Sequence, residues 1–120
     1  MNDTLKYSLK VEELAMFLVG LYALHLTGAA LPLWIYFLLF FAPDLGMLGY
    51  LVNTKVGAIT YNLFHHKGIA LLIFMAGLWN MHEVLLTSGA ILFAHSSFDR
   101  ILGYGLKYSD NFKHTHLGQL

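Results

Sequence analysis

The chain has no cysteine, only two prolines and few charges; Asp, Glu, Lys and Arg make up 12% of its 120 residues. Without cysteine, disulfides and thiolate metal sites are excluded, so any metal must be held by histidine and carboxylate. Seven basic and seven acidic residues leave a formal net charge of zero, and no basic stripe marks a nucleic-acid partner. The shortage of charge is matched by 58% hydrophobic residues, against roughly 45–50% apolar and 25% charged in soluble domains. A single domain of this length has too much surface for its volume to hide that much apolar side chain. The composition therefore predicts one integral membrane domain over residues 1–120, with the lipid bilayer as its partner. The charged start and the "TGAA" that closes the first apolar run have the look of a secretory signal. Further apolar spans follow directly, so a retained first transmembrane helix is the preferred reading.

Four apolar segments can be drawn, at about residues 12–27, 31–52, 55–78 and 83–105. A spanning helix needs ~20 residues to cover ~30 Å of hydrocarbon; the first segment is slightly short and the others suffice. An open sheet would leave backbone groups unpaired in lipid, so helices are required. The connections "TGAALP", "VNTK" and "WNMHE" are brief. Gly28 suits a helix stop and Pro32 a helix start, Asn53 or Thr54 can cap the third helix, and Asn80 can end or cap a helix. Short links make neighbours antiparallel. The predicted fold is all-α, an up-down-up-down four-helix membrane bundle with a C-terminal tail folding toward the cytoplasmic face. Lys6, Lys10, Lys55, Lys107 and Lys113 share one side, with Arg100 near it, and the opposite turns hold no Lys or Arg. The excess of basic residues places both termini in the cytoplasm, for a protein of the inner (cytoplasmic) membrane.

The unusual residues of three segments fall at one depth. At ~1.5 Å per residue, Asp44 lies ~20 Å along the second, His65 ~22 Å along the third, and His95 ~20 Å and Asp99 ~26 Å along the fourth. His95 and Asp99 are four apart and share a helix face. Asn62 and Tyr61 are within reach of His65 at spacings of three and four. Asp44 follows Pro43, which removes a helical hydrogen bond and should kink the second helix. A charge at a span centre costs roughly 2.5–3.5 kcal/mol on insertion scales, so these groups should face inward and find partners. Three partnerings are open: a divalent metal held by Asp44, His65, His95 and Asp99, a proton or ion relay through the same residues, or polar helix packing.

The remaining histidines read more blandly. His25 and His82 lie toward the outer ends, and His66 points about 100° away from His65 on a helix. Lys67 either snorkels or neutralises an aspartate. In the tail, glycines flanking Tyr104 predict a bend, and His114 and His116 point the same way only if extended. A tail folded under the bundle could offer Asp110 or His116 to the cavity.

"APDLGMLGY", "YNLFH" and "AHSSFDRILGYGLKYSDNFKHTHLG" resemble an uncharacterised bacterial membrane family, the domain of unknown function DUF4260. The resemblance covers about residues 10–118 and implies a compact helical membrane protein without an established activity. Asp44, Asn62, His65, His95, Asp99, Arg100, Tyr104, Lys107, Tyr108, Phe112, Thr115 and His116 occupy its signature positions. His114 stands where an acidic residue is expected. A fainter likeness runs to small membrane proteins described as metal-dependent hydrolases, which also set His and Asp on apolar helices.

Together these readings predict a membrane-embedded metal-dependent hydrolase acting on a lipid or amphipathic substrate. Asp44, His65, His95 and Asp99 would hold zinc, or else iron or manganese. Asp110 or His116 would move a proton or complete the ligand set. Tyr61, Asn62, Arg100 and Tyr104 would support these residues from behind. The alternatives are a small ion- or proton-coupled transporter or channel, for which a homo-oligomer would enclose the space that four helices alone do not, and a non-catalytic helix-packing module. Haem held between two histidines is a further option.

Overall fold

The computed structural model describes residues 2–119. It contains helices α1 (Asp3–Thr27), α2 (Leu33–Phe40), α3 (Thr54–Phe64), α4 (Lys67–Asn80) and α5 (Glu83–Ile101), with a 3-10 segment, Ala42–Leu51, between α2 and α3. A two-stranded antiparallel hairpin, His114–Thr115 with Gly118–Gln119, closes the tail.

Local chemistry accounts for the element ends. Asn53 caps α3, its Oδ1 accepting from the Val56 amide at 2.8 Å, and the Gly28 amide closes α1 on the Leu24 carbonyl. Asn80 is the last residue of α4, its Nδ2 donating to the Ala76 carbonyl at 2.9 Å, and Met81 rather than Asn80 takes the cap position. Met81 takes the left-handed conformation after α4 (φ 51°), and His82 Nδ1 accepts from the Leu85 amide to start α5.

Two expected spans are broken. The third is two helices rather than one continuous run over 55–78, since α3 ends at Phe64 and α4 begins at Lys67. His66 caps the new start, its Nδ1 accepting from the Ile69 amide, and Arg100 Nη2 donates to the freed His65 carbonyl at 3.1 Å. With both sides of the break hydrogen-bonded, the polar pair can interrupt an apolar run. The second span changes from α to 3-10 geometry at Phe41, with Pro43 in the first turn of the 3-10 segment. There proline's missing N–H costs nothing.

Packing also departs from the sequential bundle. α5 is the central rod, packed against both α1 and α4, while the 3-10 segment pairs with α3. Small residues permit these approaches: a Cβ on Gly89 would meet the Phe74 backbone at 2.6 Å, and one on Gly20 would meet Ala94 at 3.0 Å. Among the described residues, most of those buried within the α-helices lie on α5. Large apolar side chains face outward elsewhere, among them Leu33, Leu51, Leu72 and Trp79. One helical stretch among the described residues, Leu33–Leu51, is long and apolar enough to cross a membrane. After α5 the chain turns at Gly103, with φ 95°, and the tail folds back to pair Lys107 with Thr115 in an isolated bridge.

Candidate metal centre

Asp44, His65, His95 and Asp99 meet in one cluster, with one donor atom from each within 4.8 Å of the other three. The 3-10 segment supplies Asp44, the residue closing α3 supplies His65, and successive turns of α5 supply His95 and Asp99. His95 Nε2 lies 3.1 Å from both Asp44 Oδ1 and His65 Nε2. His65 Nε2 lies 3.1 Å from Asp99 Oδ2, and two further nitrogen–oxygen distances are 3.5 Å.

The break after α3 gives His65 its orientation. Its Nδ1 is 2.9 Å from the Tyr61 carbonyl and donates to it, leaving Nε2 to face the cluster. The Tyr61 ring stacks on the imidazole at 3.9 Å and 7°, and its hydroxyl donates to Asp99 Oδ2 at 3.2 Å. Phe40 and Phe41 pack edge-on against the His95 ring. Both histidines are buried, whereas the Asp44 side chain is 37% exposed, so the cluster opens on its aspartate side.

Hydrogen bonding among these four groups is short of protons. The His65 Nδ1 proton is committed to Tyr61, so the five close contacts all run through the two Nε2 atoms, each of which can carry one proton at most. A divalent cation satisfies all four lone pairs together. The spacing suits one: four ligands at ~2.0–2.1 Å in a tetrahedron stand roughly 3.3 Å apart. The donor set of two imidazoles and two carboxylates fits zinc, iron or manganese.

The other expected site residues divide. Tyr61 touches both His65 and Asp99, and Arg100 holds the His65 carbonyl. Asn62 does not orient His65; it holds the tail, its Nδ2 donating to the Lys107 carbonyl and its Oδ1 accepting the Lys107 amide. Tyr104 borders Lys107 rather than the cluster. Asp110 and His116 are not brought to the cluster. Asp110 is exposed and pairs with His114 at 3.0 Å, which holds its carboxyl below the usual range. His116 Nδ1 accepts from the Leu106 amide at 2.8 Å. The tail folds under the bundle, but it turns these two side chains elsewhere.

Two features escaped the sequence reading. Lys67 forms a bidentate ion pair with Glu13 at 2.6 and 2.7 Å, linking α4 to α1 and engaging neither aspartate of the cluster. The depth of Lys67 was a signal, but its partner lies 54 positions away. Lys107 is 5% exposed, with an ammonium that no acceptor among the described residues reaches. Lys107 stands among the signature positions of the family resemblance, but nothing in the local pattern of the tail marks its burial.

Over residues 6–120 the chain matches a family model described as "Domain of unknown function (DUF4260)". No curated protein and no solved structure matches it. The chain belongs to the DUF4260 family.

Proposed function

We propose that Asp44, His65, His95 and Asp99 form a divalent-metal centre, zinc first and iron or manganese next. We place it in a membrane-embedded protein that hydrolyses a lipid or other amphipathic substrate. The observation that carries the reading is the convergence of four donor atoms within 4.8 Å of one another, the five contacts made by the two histidine Nε2 atoms at 3.1–3.5 Å, with too few protons to join them. When bound, such a cation polarises a substrate oxygen and lowers the pKa of a coordinated water.

The chain's own residues prepare the centre. Tyr61 presents the His65 lone pair through its carbonyl and orients Asp99 through its hydroxyl. The aromatic edges of Phe40 and Phe41 shield His95 from water. An apolar groove of about 690 Å³ is lined by Phe17, Leu24, Phe37 and Phe40 among others, and Phe40 is one of the rings packed on His95. Its volume is that of a small-molecule site, and its lining suits the tail of an amphipathic molecule. The exposed apolar belt supports a lipid surround, and the distribution of Lys and Arg supports cytoplasmic termini.

Metal analysis of detergent-purified protein tests the reading. About one equivalent of metal per chain is expected, and His95→Ala should lose it. Metal-free protein that takes up none on titration, or undiminished occupancy in His95→Ala, overturns the proposal.

A proton relay is the second reading. It is favoured by the unbroken series Asp44, His95, His65 and Asp99, each step 3.1 Å. Proton flux into liposomes, abolished by Asp44→Asn in protein that binds no metal, would select it.

A further inference from the structure

Two residues with buried hydrogen-bond donors, Lys107 and Tyr50, pack on the same ring, Phe112. The Lys107 Nζ and the Tyr50 hydroxyl are both shut off from solvent without a hydrogen-bond partner among the described residues. Lys107 Nζ stands 4.0 Å over the Phe112 ring, and the Tyr50 ring packs edge-on to Phe112 at 5.2 Å. A buried ammonium has three protons to place, and leaving it unpaired is among the costlier arrangements a fold can hold.

The backbone is built to keep Lys107 there. Asn62 grips both its amide and its carbonyl, at 2.7 and 2.8 Å, and the bridge to Thr115 holds the same residue from the other side. Aromatic rings surround the ammonium, with Tyr61 at 4.7 Å and Tyr104 at 5.7 Å. These faces attract a cation but accept no conventional hydrogen bond. Burial lowers the Lys107 pKa, and the Asp99 charge acts against that.

We infer that Lys107 and Tyr50 form an anion-binding site around Phe112, next to the Asp44–His65–His95–Asp99 cluster, for an oxyanion of the phosphate class. Both groups donate, and neither is committed to a protein acceptor. Tyr61 joins the two sites, carrying the Lys107 ammonium over its ring and reaching Asp99 with its hydroxyl. An anion held here would bring the polar end of a ligand beside the cluster. The inference goes beyond the metal reading and does not need it, because the two donors lack partners whether or not a cation is bound.

The test is phosphate binding by calorimetry to the full chain in detergent, with and without added metal. Lys107→Met, Lys107→Arg and Tyr50→Phe are compared with the wild type. Inorganic phosphate should bind the wild type, with affinity at least tenfold weaker in Lys107→Met and at least threefold weaker in Tyr50→Phe. Lys107→Arg should retain most of it. Tyr50→Phe removes only a hydroxyl, so it decides the matter if Lys107→Met does not fold. A parallel arm uses nanodiscs containing phosphatidic acid, with phosphatidylcholine as control. Binding confined to phosphatidic acid and lost in the same variants supports the site and assigns a lipid headgroup as the source. No binding of either probe, or binding unchanged in both Lys107→Met and Tyr50→Phe, overturns the inference. Metal uptake in the same samples reports on the metal centre separately.

Discussion

Asn62 and Lys107 exchange two hydrogen bonds, the side-chain amide of one matching the backbone N–H and C=O of the other at 2.7 and 2.8 Å. The amide acts as a one-residue strand edge, fastening the tail to α3 one position beyond Tyr61. Asn62→Leu deletes both bonds and leaves the Lys107 amide and carbonyl without partners. At about 0.5–1.5 kcal/mol net per bond, with a penalty for orphaned groups, the loss should be about 2–3 kcal/mol. Thermal unfolding measures it, and proteolysis should cut the variant first within residues 103–119.

Tyr61 supports the cluster from behind. Tyr61→Phe keeps the ring that stacks on His65 and removes the hydroxyl that donates to Asp99. Metal affinity should fall ~10-fold or somewhat more, the usual effect of losing a partner behind a ligand. Competition with a chromogenic chelator reads the change, and an unaltered affinity would count against the role given to Tyr61.

Lys67 and Glu13 should depend strongly on each other. Both side chains are largely buried, so Lys67→Met leaves a carboxylate with no cation and should cost about 3 kcal/mol. The double variant Lys67→Met, Glu13→Leu removes the stranded charge with its partner and should recover most of that loss. A double-mutant cycle on melting temperatures gives the coupling.

The tail should loosen in mild acid through His116. Its Nδ1 accepts the Leu106 amide proton, which a protonated ring cannot do. Burial first, and then the nearby Arg100 charge, depresses its pKa. A histidine so depressed is neutral in both folded and detached states above about pH 6.5. Below that the detached form takes up the proton first, so docking weakens as pH falls toward the folded pKa. Protection of the Leu106 amide against hydrogen exchange should therefore drop as the pH falls below about 6.5, and His116→Ala should remove the pH dependence.

Much of the candidate centre was legible before the structure. His95 and Asp99 sit four apart on one apolar segment, so helical periodicity alone puts them on one face. Asp44 and His65 were marked by a carboxylate and an imidazole at matching depth in apolar runs, where neither is stable without a partner. The break between α3 and α4 was not legible. Residues 55–78 read as a continuous apolar run, and the partner that makes the interruption tolerable, Arg100, lies 35 positions along the chain. The roles given to Asp110 and His116 failed for a related reason. Position in the chain put them near the cavity, but the hairpin and Gly103 decide where the tail's side chains point.

Composition and periodicity determined a helical chain, rich in apolar surface, with four polar residues that had to converge. These are properties of single segments, set by backbone hydrogen bonding and the cost of burying charge. Tertiary structure alone decided that α5 is the central rod, that Lys67 answers Glu13, and that Lys107 is buried without an acceptor among the described residues. Each of those depends on which distant atoms come within a few ångströms, and contacts at that range are selected by packing the whole chain at once.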